Sequence, residues 1–276
     1  MNIKRAKDMS GQKKKSAIIY NCLIVFFCCV FLICAYMLIS YFWQEWRNES
    51  QNSDIASDVI ILPDETQADE TASDTSSVAE QGYRFAPIPE SIDFNKLKNK
   101  NEDVVGWLFN QNGVVNYPIL QGDDNDYYLT HTINKKKNVN GSIFMDYRNS
   151  SDYTDSITMI YGHNMKNGTM FATIRRYRNQ SYYEAYPSFY LYTEQGNFRL
   201  DVFSAYQTTV YDTVFSTSCN VEDKSQLISH AFSKSAIKAD VSVGNDDNII
   251  ILSTCTGRDD DARFAVLCKI VSIENS

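Results

Sequence analysis

The sequence is poor in positive charge. Against 34 Asp and Glu stand 26 Lys and Arg, a net charge of −8 over 276 residues. Six of those basic residues (Lys4, Arg5, Lys7, Lys13, Lys14 and Lys15) fall within the first fifteen positions. No basic surface is left over for the rest of the chain, which excludes nucleic acid as a partner. Histidine is scarcer still, at three residues, and no group of His, Cys, Asp and Glu has metal-ligand spacing. No metal and no other cofactor are therefore expected. Of seven cysteines, Cys22, Cys28, Cys29 and Cys34 lie in one apolar run, where they act as small hydrophobes. The three that remain, Cys219, Cys255 and Cys268, are odd in number and too few for a disulfide framework. No internal repeat is visible, and strands do not alternate with helices as βαβ units would require.

What the chain has, first, is an uncharged stretch from Ala17 to Trp43. A membrane-spanning helix needs roughly 20 apolar residues. The run is too long for the apolar region of a signal peptide, and no small-residue cleavage site follows it. Its basic flank precedes it, which predicts a cytoplasmic N-terminus and an extracellular remainder. Residues 48–82 are rich in Asp, Glu, Ser and Thr and hold no Lys or Arg, a composition that predicts disorder. The expected organisation is a basic tail at 1–16, a transmembrane signal-anchor helix at 17–46, an acidic stalk at 47–82 and a globular domain at 83–276.

That domain reads as mostly β, and 18 Tyr and 15 Phe suit half-buried sheet faces. A short helix is expected in SIDFNKLKNKNED, capped by Ser91 or Asp93. Strands are expected in GWLFN and VVNYPIL, in NGSIFMDY and DSITMIYG, in the hairpin SFYLYT/NFRLDVFSAYQTTVY, and in NIIILSTC and ARFAVLCKI. GTMFATIRRYRNQSYYEAYP reads as one helix ending before Pro187, and residues 222–237 carry Leu227, Ile228, Ala231 and Phe232 at helical spacing. Together these predict a closed or nearly closed β-barrel with inserted helices.

Cys255 ends an apolar strand at the lip of an acidic turn that also holds Arg258. It is either a buried small hydrophobe or a nucleophile, and a nucleophilic thiol needs a base or a cationic partner. His131, beside a lysine run, and His230, in a helix, read as structural or solvated. His163 differs, because it follows the strand ITMIY through Gly162 and stands, like Cys255, at a strand end. Arg263 opens the last strand on the same face as Ala265 and Leu267, where an unpartnered arginine is costly unless it reaches the rim. A guanidinium beside a thiol can donate to the oxyanion of an acyl-transfer intermediate.

LSTC at 252–255, ARFAV at 262–266 and YGHNM at 161–165 together resemble the signature of sortases, and of class B sortases above all. YPILQGDDNDYYL, GSIFMDYRN and GTMFATIRRY support the likeness in the family's order across residues 83–276. The resemblance implies a sortase-like closed barrel of about eight strands, with Cys255 as nucleophile, His163 as general acid/base and Arg263 as oxyanion or substrate stabiliser. It also implies substrate contacts at Asn125, Leu129, Tyr161 and Ser253. The implied reaction cleaves an NPQTN-like or SPKTG-like sorting signal after Thr in secreted proteins and transfers the acyl group to a peptidoglycan precursor (lipid II) amine. Two other expectations stay open on the residues alone. One is a different cell-wall cysteine enzyme, such as an L,D-transpeptidase or peptidoglycan peptidase. The other is a non-catalytic anchored ectodomain in which Cys255 is inert.

Overall fold

The computed structural model describes residues 2–63, 83–216, 221–255 and 261–273. The chain forms two compact units, Met1–Arg47 and Asn48–Ser276. Helix α1 (Asn2–Val59) begins in the first and ends in the second. Within the first unit, the 24 residues Tyr20–Trp43 are long and apolar enough to cross a membrane. Leu23, Phe27, Phe31 and Met37 are among the exposed apolar side chains of this stretch. None of its apolar window is buried within the chain, as holds for a membrane span or a signal sequence and not for a core helix.

The second unit starts inside the segment expected to be stalk, and here the structure differs. The last turns of α1 bury Ile55, Ala56 and Val59 against a cluster that includes Trp107, Phe109 and Leu120. Strand β1 (Ile60–Ile61) then pairs with β2 (Ser91–Ile92). Ile55, Ala56 and Val59, with half-buried Ile60 beside them, suffice in an otherwise acidic stretch, because they meet an apolar sheet face that must be covered. Residues 64–82 of the expected stalk lie outside the described residues. Helix α2 (Phe94–Lys100) follows, and its cap is Asp93, whose carboxylate accepts from Lys96 N at 3.1 Å. Lys96 and Lys100 reach Asp58 at 3.2 and 3.5 Å.

Eight strands close the barrel: β3 (Val104–Phe109), β4 (Asn116–Leu120), β5 (Ile143–Met145), β6 (Ile157–Tyr161), β7 (Ser188–Thr193), β8 (Gly196–Thr209), β9 (Ile249–Cys255) and β10 (Ala262–Ser272). Their order is β10-β8-β7-β3-β4-β5-β6-β9, with β9 returning to β10. Pairing is antiparallel except at β4–β5 and β6–β9. Alternation along the strands builds the layers. Ile250, Leu252, Phe264, Val266 and Cys268 share one cluster with Leu108, Ile119 and Leu191. Their neighbours Ile249, Ile251, Ala265 and Leu267 instead pack with Leu227, Ile228 and Ala231. A bulge where β8 passes Leu267 and Cys268 of β10 lets Val202 and Ala205 both join the first cluster while Phe203 and Tyr206 join the other.

The single helix expected before Pro187 is two pieces. A 3-10 helix spans Phe171–Arg178 and α3 spans Gln180–Ala185, with Asn179 between them in extended conformation (φ −108°, ψ 126°). Phe171, Ile174, Tyr177 and Tyr182 all point into the same core cluster, and the break is what aims both pieces at it. Helices α4 (Thr213–Ser216) and α5 (Ser225–Lys234) fill the connection from β8 to β9.

Candidate active site

Three chain ends meet at one rim of the barrel. β6 runs parallel to β9, with Tyr161 level with Ser253. One residue on, Gly162 N donates to Ser253 O at 3.1 Å, so the chain leaves β6 toward His163 beside the last residues of β9. β9 ends at Cys255, whose Cα partner across the hairpin is Arg263. Arg263 in turn pairs with Thr208 of β8. The sheet register alone thus brings the backbones of the three residues singled out in the sequence to one place. The side chain of Cys255, and Arg258 and Cys219 entirely, lie outside what the structure describes.

A cavity of about 280 Å³ opens at this rim, lined among others by Asn125, Leu129, Tyr161, His163, Ser253 and Arg263. Every side chain expected at a site from the sequence, Cys255 apart, faces it. Phe144, Gly162, Val210, Phe215 and Thr254 complete the lining, and these the sequence did not single out. Phe144, Val210 and Phe215 are apolar and carry no chemical signal, and only closure of the barrel gathers the set.

His163 is held from several sides. Its Nε2 lies 2.6 Å from Leu129 O. A carbonyl only accepts, so Nε2 carries a proton in this arrangement. Leu129 is fixed in turn: it ends a 3-10 turn (Tyr127–Leu129), and Ser142 N donates to Tyr128 O at 2.9 Å. Gly141 backs this turn at φ +54°, where a Cβ would stand 2.5 Å from the carbonyl oxygens of Tyr128 and Leu129. Behind His163, its own carbonyl accepts from Phe171 N at 2.9 Å, and Asn164 and Met170 form a bridge that closes the loop. Gly162 leaves no room for a side chain, because a Cβ there would meet Ile143 Cδ1 and come within 2.7 Å of the Phe171 ring.

Part of the polar wall is organised by a residue not anticipated from the sequence. Asp146 follows β5 and is completely buried, yet its carboxylate gathers five donors. Arg148 supplies its backbone N and Nε to Oδ1, at 3.0 and 2.9 Å, and a terminal guanidinium nitrogen to Oδ2 at 2.8 Å. Asn125 Nδ2 and the Tyr161 hydroxyl each donate to Oδ2 at 3.0 Å. Burial pushes the Asp146 carboxyl up, but these hydrogen bonds outweigh it and hold the group down at about 2. Burial and the Asp146 charge push the Tyr161 phenol up, so it stays a protonated donor. A signal for Asp146 was present: like Cys255, it is a polar residue ending an apolar strand, with an arginine close behind.

Ser253 Oγ and Thr254 Oγ1 are buried on opposite faces of β9, and neither has a partner among the described residues. The remaining histidines do structural work. His131 stacks on Tyr127 with centroids 4.1 Å apart, and His230 Nε2 sits 3.1 Å from Asp212. Cys268 is fully buried, and burial pushes its thiol well above the ordinary range. Its Cα partner on β9 is Ile250, five positions from Cys255. At about 3.3 Å per residue that separation exceeds disulfide reach by a factor of two.

Residues 111–271 match the sortase family model, described as the sortase domain. Sortase B of Listeria monocytogenes is 38% identical over 182 residues, covering 64% of this chain and 73% of that protein. The Staphylococcus aureus sortase B–substrate complex superposes with a TM-score of 0.62 at 32% identity, over 71% of this chain and 90% of that one. A sortase B complexed with triglycine gives a TM-score of 0.61 at 34% identity, over 65% of this chain and 86% of that one.

Proposed function

This chain belongs to the sortase family as a class B sortase, a cysteine transpeptidase, and we propose that Cys255, His163 and Arg263 carry its reaction. The Cys255 thiolate attacks the threonine carbonyl of a sorting signal. Collapse of the tetrahedral intermediate breaks the C–N bond, leaving an acyl thioester on Cys255. The departing amine takes a proton from His163. An incoming amine then attacks the thioester, gives a proton back to His163 and releases the Cys255 thiolate. Arg263, whose backbone is directly opposite that of Cys255, donates to the oxyanion in both steps. The observation that carries this assignment is the register that sets Cys255 between Arg263 and the end of β6 leading to His163.

Asn125, Leu129, Tyr161 and Ser253 hold the peptide in the cavity they line. Leu129 contributes a carbonyl that holds His163 Nε2–H, so substrate binding and His163 positioning share one loop. Secreted proteins ending in an NPQTN-like or SPKTG-like signal are the acyl donors. The amine of a peptidoglycan precursor (lipid II) is the acceptor, in keeping with the substrate and triglycine complexes of similar enzymes. Residues 17–46 anchor the enzyme by a single span with the N-terminus cytoplasmic, residues 64–82 act as a spacer, and the barrel works outside the membrane.

The test uses the full chain in detergent micelles with a panel of both peptide types. Intact mass spectrometry should find an acyl adduct on Cys255 with one type, and none on a Cys255→Ala variant. A folded protein with a reactive Cys255 thiol that acylates with neither type would remove the substrate assignment.

A further inference from the structure

We propose that Asp146 is a positioning residue for peptide recognition, acting through Asn125 and Tyr161 rather than by touching the substrate. The proposal rests on the transpeptidase assignment above and goes beyond it. Charge neutralisation alone does not account for the arrangement, because Arg148, two residues on, already supplies three donors. The other two donors come from 21 residues before and 15 residues after Asp146, and both belong to side chains lining the cavity.

Their geometry fixes what the cavity presents. Asn125 is held at both ends of its amide: Nδ2 donates to Asp146 Oδ2 and Oδ1 accepts from Tyr147 N at 3.1 Å. Flipping the amide would set an N–H against Tyr147 N–H and an oxygen against the carboxylate, breaking both bonds. The Tyr161 hydrogen is committed to the same Oδ2, which leaves the phenol oxygen as an acceptor. Asp146 thereby turns two ambiguous groups into one defined donor and one defined acceptor. A neutral amide at position 146 cannot do this. It can offer oxygen either to Arg148 or to the Asn125–Tyr161 pair, and its NH₂ then opposes donors on the other side.

Asp146→Asn preserves shape and removes only the charge. For the peptide that acylates the wild type, KM should rise about tenfold or more while kcat changes less than about threefold, since the loss falls on binding groups. In an Asn125→Ala/Tyr161→Phe background, the same substitution should cost under about twofold. An equal loss in both backgrounds would mean a structural role and would overturn the proposal. If Asp146→Asn does not fold, Arg148→Gln enters the same cycle. It weakens the anchoring of the carboxylate while leaving both cavity-side donors, and its effect should likewise vanish in the double variant. A readout independent of substrate separates this proposal from the assignment it rests on. In ¹⁵N-asparagine-labelled full chain, the Asn125 side-chain amide signals, assigned by Asn125→Ala, should shift in Asp146→Asn. Unmoved signals would overturn the proposal even with activity intact. Moved signals in a protein that cleaves no sorting peptide would sink the substrate assignment instead.

Discussion

Two carboxylates near the cavity, Asp146 and Asp212, are built alike and serve different ends. Each is largely buried, each gathers hydrogen bonds from separate elements, and each is held below the usual carboxylate range. In both cases burial pushes upward and the hydrogen bonds win. Asp212 accepts from Thr208 Oγ1 at 2.6 Å, Val214 N at 3.0 Å and His230 Nε2 at 3.1 Å. None of those three residues lines the cavity, whereas two of the three residues on Asp146 do. Asp212 therefore ties β8, α4 and α5 together, behind a wall that Val210 and Phe215 present. What a buried charge does is decided by where its partners point, not by its burial or its pKa.

The largest expected effect leaves both carboxylates in place. A fragment of residues 83–276 lacks Ile55, Ala56 and Val59 and uncovers the outer face of β3, which costs about 4 kcal/mol by apolar area. Thermal melts of fragments beginning at 48 and at 83 measure it. Equal melting temperatures would mean that this cover adds nothing, and either fragment would then serve for comparing the two carboxylates.

The comparison itself is broken or kept by paired substitutions. Asp146→Asn should cost tenfold or more in kcat/KM (about 1.4 kcal/mol). Asp212→Asn should cost under about threefold, with a stability loss of about 1 kcal/mol read in a denaturant titration. Similar catalytic losses at both sites would erase the distinction between the two carboxylates.

Gly162→Ala sharpens it from the other side of His163, since no charge is touched. The added methyl meets Ile143 and Phe171, and overpacking of this kind costs about 1–3 kcal/mol. The turnover number should fall more than KM rises, in contrast to Asp146→Asn. A KM effect alone would place Gly162 with the substrate wall instead.

Acid separates the pair least. A carboxyl whose folded pKa is depressed adds stability that is present above its unfolded value near 3.9 and is lost as pH falls through the folded value. For Asp146 the window runs from about pH 4 down to about 2 and amounts to about 2 kcal/mol. Urea melts of wild type and Asp146→Asn should converge across that window. Asp212→Asn should show the same direction. A wild-type stability that rises as pH falls would contradict both assignments.

Much of the architecture was legible because it rests on local pattern. Alternating apolar residues in ITMIY, IIILSTC and ARFAVLC fall into strands on either side of two clusters, and an uncharged run of spanning length needs no context. Cys255, His163 and Arg263 drew attention because each is a polar residue at a strand end. Asp146 has the same position, but its role appears only when Asn125 and Tyr161 arrive from elsewhere in the chain. Two local expectations failed for one reason, that a distant surface overrode composition. An acidic stretch was expected to be stalk, yet residues 48–61 fold because β3 offers an apolar face. One continuous helix was expected before Pro187, yet it breaks at Asn179 so that Phe171, Tyr177 and Tyr182 reach one core.

By itself the sequence determined the apolar run of spanning length, the strands and the residue types singled out for the chemistry, all of which follow from near-neighbour periodicity and polarity. The tertiary structure decided which strands run side by side, and hence that Tyr161 lies level with Ser253 and Arg263 with Cys255. It also decided that a carbonyl from the 127–129 turn holds His163 Nε2–H, and that one buried carboxylate orients two walls of the cavity. These are pairings across 8 to 92 residues of chain. Register and closure set them, and no short-range pattern encodes either.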